Sequence, residues 1–119
     1  MDSPLLTDLQ TRASSGDPEA QYELSWRHAL GMELPEDDIE ALKWLRLAAT
    51  RGHALARNNL GARHLSGEGV DPDPIEAYRW FHLAAEQGDR KAAKNRDTVA
   101  ASLTPAQITE AIHRAAQVR

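Results

Sequence analysis

A 36-residue internal repeat constrains the fold of this chain more than any other feature of its sequence. Residues 17–52 and 53–88 align without a gap and share 14 identities in 36 positions. A repeat of this length is typical of solenoid proteins, in which each unit buries its apolar face against its neighbours. The sequence therefore predicts a stack of similar units.

Helix start and stop signals divide each repeat into two helices joined by a turn. Asp17 followed by Pro18 predicts the start of a first helix, because aspartate is a good N-cap and proline is tolerated at the first helical position. Asp37 and Asp73 predict the start of a second helix, and a glutamate three residues later predicts an acidic form of the capping box. Glycines predict the helix ends, at Gly31 and Gly52 and again at Gly67 and Gly88.

Residues four apart in sequence lie on one face of a helix and predict which faces are buried. In the first helix of repeat one, that face holds Ala20, Leu24 and His28. The second helix of each repeat places small alanines beside a large tryptophan, which predicts close contacts between helices. These residues are Ala41, Trp44 and Ala48, and then Ala77, Trp80 and Ala84.

The segments that flank the repeats predict further helices. Residues 1–16 are expected to hold an N-terminal capping helix at Thr7–Ser15. Residues 89–119 are expected to hold a partial third repeat, with a helix at about Arg90–Ser102, and then a C-terminal capping helix. The last helix is expected to begin at the capping box of Thr104 and Gln107, to end at about Gln117 and to bury Ile108, Ala111, Ile112 and Ala115. The whole chain is thus predicted to be one all-α domain of about seven helices, with no strand.

Composition argues against several classes of function. The absence of cysteine excludes disulfides, thiol nucleophiles and thiolate metal sites. The net charge of −4 argues against nucleic-acid binding, and no apolar run approaches the roughly 20 residues of a membrane-spanning helix. The first residues lack the basic and apolar regions of a secretory signal. We therefore expect a cytoplasmic protein that neither binds nucleic acid nor inserts into a membrane, with a monomer slightly favoured.

Charge is unevenly distributed, and no catalytic motif stands out. Residues 1–89 carry 8 basic and 16 acidic side chains, whereas residues 90–119 carry 6 basic and 2 acidic ones. Most of the acidic residues near the turns are explained by helix capping and solubility. A nucleophile elbow, a phosphate-binding glycine loop and a His-Glu-x-x-His motif are all missing from the sequence. We expect no catalytic residue, no cofactor and no metal site.

Two runs in the second repeat carry a family resemblance. Residues 56–70 read Ala-x-x-x-Leu-Gly-x-x-x-x-x-Gly-x-Gly-Val, and residues 76–89 read Glu-Ala-Tyr-Arg-Trp-Phe-x-x-Ala-Ala-Glu-Gln-Gly-Asp. With the 36-residue period, they resemble the Sel-one-like repeat (SLR) family, which is related to tetratricopeptide repeats (TPR). The resemblance covers about residues 17–103. It implies a right-handed α/α solenoid and a bacterial adaptor or scaffold that gathers partner proteins and is not an enzyme.

Glu33 and two histidines depart from the family pattern. Glu33 stands where the second repeat has Gly69, so a positive φ at this position would cost about 1 kcal/mol. His28 and His64 stand where the family usually has tyrosine. Equivalent positions of neighbouring repeats are about 10 Å apart, too far for one shared metal ion. Packing near a helix C-terminus is the favoured interpretation. A pH- or metal-responsive regulator is an alternative, which zinc titration of the melting temperature would test.

The best candidate for a functional site is a surface. Tyr22 and Trp26 point nearly opposite Leu24 at about 100° per residue, and such aromatic residues dominate interface hot spots. Packing is favoured for Tyr22 and partner contact for Trp26. In the family, the first helices of the repeats line the concave face. We therefore predict that a partner peptide or helix lies there and contacts Tyr22, Trp26, Arg57, Asn58, Leu65 and Lys94. A dedicated inhibitor or immunity-type protein that binds one enzyme is an alternative function.

Overall fold

Seven α-helices make up the fold of residues 4–118, which are the residues that the computed structural model describes. Within that range there is no strand, so the predicted all-α class is confirmed. Residues 1–3 and Arg119, which the predicted terminal caps include, lie outside the described residues. The helices are α1 (Pro4–Ser14), α2 (Pro18–Leu30), α3 (Asp38–Thr50), α4 (Ala54–Ser66), α5 (Pro74–Glu86), α6 (Arg90–Ala100) and α7 (Pro105–Ala116).

The predicted helix bounds differ from the structure by one to three residues at four ends. Helix α1 begins at Pro4, three residues before Thr7, because proline fits the first turn of a helix, and it ends at Ser14, one residue before Ser15. Helix α6 ends at Ala100, two residues before Ser102, and α7 ends at Ala116, one before Gln117. These last turns are closed by tighter backbone hydrogen bonds, as helix ends commonly are.

Aspartate caps form as predicted, but the acidic capping box does not. The side chain of Asp37 accepts hydrogen bonds from the backbone N–H groups of Ile39 and Glu40. The backbone N–H of Asp37, which the box would pair with Glu40, donates instead to the carbonyl oxygen of His28 at 2.9 Å. Asp73 donates to His64 in the same way, also at 2.9 Å. The turn therefore satisfies this donor itself, whereas the predicted Thr104–Gln107 box is complete in both directions.

The described chain divides into two compact units, with the boundary between His53 and Ala54. In the first unit, α1 and α3 both pack against α2. Trp44 of α3 and Leu34 of the α2–α3 turn pack against the buried cluster of this unit. The cluster consists of Leu6, Leu9 and Ala13 from α1 and Ala20 and Leu24 from α2.

In the second unit, α4, α6 and α7 all pack against α5. The core cluster joins α5, α6 and α7 through Ala77, Tyr78, Phe81, Val99 and Ala111. Two of the predicted stripe residues of α7, Ala111 and Ala115, are fully buried. Burial of Ile112 was predicted and is wrong: this residue is 39% exposed, since it lies a further 100° or so around the helix from Ala111.

Candidate functional site

Tyr22 lies half-buried on α2, where its ring stacks on the imidazole of His53. The two ring centroids are 4.6 Å apart, and the ring planes differ by 25°. The Nε2 atom of His53 lies 2.8 Å from the Oε2 atom of Glu19 on the first turn of α2. One face of the Tyr22 ring is therefore used inside the first unit, in keeping with the packing interpretation that was favoured for it.

Trp26 lies one turn further along α2 and is also half-buried. The guanidinium carbon of Arg27 is 5.4 Å from the centre of its ring. Arg27 is itself held by Glu33 at 2.7 Å and by Glu23 at 2.8 Å. Hydrogen bonding to Glu33, and then to Glu23, raises the pKa of Arg27, so this cation is fixed in place beside the indole. A large aromatic side chain with a fixed neighbour loses little entropy when a partner binds it.

Glu33 completes this arrangement in a strained backbone conformation. Its φ is 64°, as predicted from its alignment with Gly69, and it is the only non-glycine residue with a positive φ in residues 4–118. A non-glycine residue in this region is disfavoured. The ion pair with Arg27 gives the glutamate side chain a role that glycine at this position would not have.

Arg57 and Asn58 lie next to each other on α4 in different environments. Arg57 is buried, with 7% of its surface exposed, and its Nη1 donates to Oε1 of Gln87 at the end of α5 at 3.0 Å. Asn58 is half-buried and accepts a 3.1 Å hydrogen bond from Nδ2 of Asn95 on α6. The first side chain thus holds α4 to α5, and the second holds α4 to α6.

The amide pair of Asn58 and Asn95 leaves two polar groups without a partner among residues 4–118. One is the NH₂ group of Asn58, and the other is the side-chain oxygen of Asn95. If both amides are assigned the other way round, the pair still presents one donor and one acceptor. A peptide group has the complementary acceptor and donor. Sequence reasoning missed Asn95, although it directly follows the predicted Lys94.

Lys94 and Leu65 are the exposed members of the predicted set in the second unit. Leu65 is 48% exposed near the end of α4. Lys94 is exposed on α6 together with Arg90 and Lys91, and none of these three cations forms an ion pair with residues 4–118. The acidic residue of the same helix, Asp97, is already paired with Arg96 at 3.2 Å. The exposed face of α6 is therefore positively charged.

His28 and His64 both lie near the C-terminal end of their helices, half-buried, with their carbonyl oxygens engaged by the aspartate caps. In the described part of the chain, no three histidine, aspartate or glutamate residues are grouped so that they could hold a metal ion. The pH- or metal-responsive alternative stays a prediction. Among residues 4–118, no helix is both long enough and apolar enough to span a membrane.

The helices and their repeated turns define an all-α repeat protein. Residues 18–53 and 54–89 each match the Sel1 repeat, so the chain belongs to the Sel1 repeat family, the SLR family of the resemblance above. Sel1 repeats generally form protein–protein interaction modules. No curated protein matches this sequence.

Two solved structures with the same fold are similar to this chain. One is c5321, a protective antigen present in uropathogenic Escherichia coli strains displaying an SLR fold. It is 28% identical over 92% of this chain, with a TM-score of 0.84, and this chain spans only 24% of its length. The other is a Sel1 repeat protein from Oxalobacter formigenes, 32% identical over 94% of this chain and 97% of its own, with a TM-score of 0.66. The predicted SLR fold is therefore confirmed.

Proposed function

We propose that this chain is a non-catalytic protein–protein interaction module that binds a peptide or helix of a partner protein on the concave face formed by the first helices of its repeats. The observation that carries the proposal is Trp26, a large aromatic residue that α2 leaves partly exposed. Neither its counterpart in the second repeat, Ala62, nor the one in the third, Thr98, is aromatic. A tryptophan that the repeat fold does not require is best explained by a partner contact.

Polar residues of the second unit supply the other part of the proposed contact. The Asn58–Asn95 pair offers a donor and an acceptor side by side, which suits the backbone of an extended peptide. Lys94 adds positive charge, and Leu65 adds exposed apolar surface. Arg57 is the weakest member of the predicted set, because its guanidinium is buried and already bonded to Gln87. Contact of one partner with both units remains a prediction.

Selection of peptides on the protein itself tests this function. A random 12-residue phage library is panned on the immobilised chain, and selected peptides are titrated by fluorescence anisotropy. We expect Trp26→Ala to weaken binding by about 2 kcal/mol, or about 30-fold, with little change in melting temperature. Leu55→Ala is the matched control, since Leu55 is 54% exposed on α4 and lies outside the predicted set. Unchanged binding by Trp26→Ala, or a large fall in its melting temperature, would show that Trp26 is a packing residue.

Several finer predictions accompany this proposal. Residues 17–52 and 53–88 are taken as the two full repeats, and the flanking segments as caps. A cytoplasmic location, a bacterial source and a monomeric state are expected on the grounds given above. The alternative of an inhibitor or immunity-type protein differs in one outcome, since it requires a single tight stoichiometric complex instead of a set of related peptides.

A further inference from the structure

A groove of about 640 Å³ lies along one face of α3, the second helix of the first repeat, and shares no residue with the surfaces described above. Leu47 contributes an apolar side chain to the groove and is 39% exposed. Spacings of three and four residues place the groove residues on neighbouring parts of one helix face. They are Lys43, Arg46, Leu47, Thr50 and Arg51.

The same position in the second repeat is closed. Leu83 occupies the position of Leu47 one repeat later, and only 1% of its surface is exposed. Next to it, His82 stacks on Tyr78 with centroids 5.9 Å apart and lies 3.6 Å from Glu86. The repeat fold therefore places a leucine here in both units, but only the first unit leaves it open to a ligand.

Positive charge surrounds the exposed leucine, although the first unit as a whole is acidic. Residues 1–53 carry ten acidic and five basic side chains, and three of the five basic ones line this groove. Neither Arg46 nor Arg51 forms an ion pair or side-chain hydrogen bond with any of residues 4–118. The counterparts of these two arginines are His82 and Gln87, and the counterpart of Thr50 is Glu86. The third cation, Lys43, lies 3.7 Å from Glu40 and has Arg79 as its counterpart, so a cation at this position is common to both repeats. The two unpaired arginines therefore belong to the first unit and are not a feature of the repeat.

Solvation alone explains poorly why an exposed leucine and two unpaired arginines stand together. A solvated cationic face needs no leucine within it, and an exposed leucine needs no unpaired arginines one residue before it and four residues after it. Together they match a ligand that has an apolar group with carboxylates on either side. Arginine also binds carboxylates in a planar, two-point geometry that lysine lacks.

We propose that the α3 groove binds an acidic amphipathic helix of a partner protein. An apolar side chain of that helix packs against Leu47, and its flanking glutamates or aspartates pair with Arg46 and Arg51. This is the helix-in-groove mode of recognition, and charge complementarity requires that the partner helix be negatively charged. The surface is distinct from that of Trp26, so the two can fail independently.

Two synthetic peptides test the groove directly. The acidic probe is a fluorescein-labelled 18-residue helix with leucines at positions i, i+4 and i+7, flanked by glutamates. The neutral probe replaces each glutamate with glutamine. We expect saturable binding of the acidic probe to the wild-type chain, about tenfold weaker binding of the neutral probe and about tenfold weaker binding at 300 mM than at 50 mM salt. Backbone NMR signals of residues 43–51 should shift.

Two charge-matched variant pairs locate the site. Arg46→Glu with Arg51→Glu should weaken binding of the acidic probe by about tenfold or more, whereas Arg90→Glu with Lys91→Glu, on α6 and outside the predicted partner-binding set, should change it less than about twofold. Leu47→Ala should weaken it without altering the salt dependence. Arg46→Gln with Arg51→Gln removes the two charges but keeps much of the side-chain bulk, so this variant controls for a folding defect caused by the glutamates. A lack of saturable binding would overturn the proposal. A larger effect of the α6 pair would also overturn it, by moving the acidic site to α6.

Discussion

Gly61 on α4 is the position where adding a single methyl group should most sharply disturb the second unit. A Cβ atom built on it would lie 2.7 Å from Cε1 and 2.8 Å from Cδ1 of the Phe81 ring. Real Cβ contacts below 3.0 Å essentially never occur. Phe81 is only 1% exposed and belongs to the core that joins α5, α6 and α7, so its ring has little room to retreat. We therefore expect Gly61→Ala to destabilise the protein.

The expected change in the free energy of unfolding of Gly61→Ala follows from two opposing effects. Alanine in a helix interior is favoured over glycine by about 1 kcal/mol. Forcing an extra methyl group into a packed core costs about 1–3 kcal/mol. The net loss in the free energy of unfolding should be about 1 kcal/mol, which lowers the melting temperature by about 4–8 °C for a domain of roughly this size.

The assay is a double-mutant cycle at Gly61 and Phe81, in which the stability of each variant is measured by urea unfolding. In the first repeat, the counterparts of Gly61 and Phe81 are Ser25 and Leu45, which pairs a larger residue on the first helix with a smaller one on the second. Phe81→Leu alone should lose stability, but combined with Gly61→Ala it should recover about 1 kcal/mol relative to the sum of the single changes. Additive effects, or a stabilised Gly61→Ala variant, would refute the reasoning from the ring contact.

Two further predictions concern the first unit. Glu33→Gly should be about 1 kcal/mol more stable than Glu33→Ala in urea unfolding, because both lose the ion pair with Arg27 but only glycine removes the strain at φ 64°. Equal stability of the two variants would mean that the backbone is not strained there. Tyr22→Ala and His53→Ala should show a favourable coupling of about 0.5–1.5 kcal/mol in a thermal-unfolding cycle, because their rings stack at 4.6 Å. A coupling near zero would contradict a structural role for Tyr22 and favour the partner contact.

Much of the fold could be predicted because its signals are local. A capping aspartate, a proline at the first turn and a glycine after the last turn act within a few residues, so helix number and most helix starts follow from sequence. The acidic capping box failed because its donor is taken by the carbonyl oxygen of His28, nine residues earlier in sequence. Sequence spacing within one helix cannot show a hydrogen bond that closes across a turn.

The candidate surfaces were only partly predictable, since exposure depends on what packs over each helix. Helical geometry alone placed Trp26 on a surface, but in the structure this side chain is only partly exposed. The same geometry did not show that Arg57, next to Asn58, would turn inward to Gln87. Asn95 was missed because alignment by the 36-residue register pairs Asn58 with Lys94, whereas the hydrogen bond joins residues 37 apart. The 36-residue register identifies equivalent positions in the repeats. Residues that contact each other across neighbouring helices need not be equivalent.

Comparison of equivalent positions in the two repeats helps to separate residues that serve the fold from residues open to other roles. Ala20 and Ala56, and likewise Leu24 and Leu60, are identical and buried in both repeats, so packing is sufficient to explain them. Trp26 has alanine as its counterpart, so the repeat fold does not account for it. Sequence identity alone does not separate the two kinds of residue, as the leucine shared by α3 and α5 shows. Leu47 is exposed beside cationic side chains, whereas Leu83 is covered. Packing explains the difference in exposure, because α4, α6 and α7 pack against α5 in the second unit, whereas α2 is the helix that packs against α3 in the first. Packing does not explain why Arg46 and Arg51 flank the uncovered leucine, and that pair of charges is what the proposed acidic helix would use.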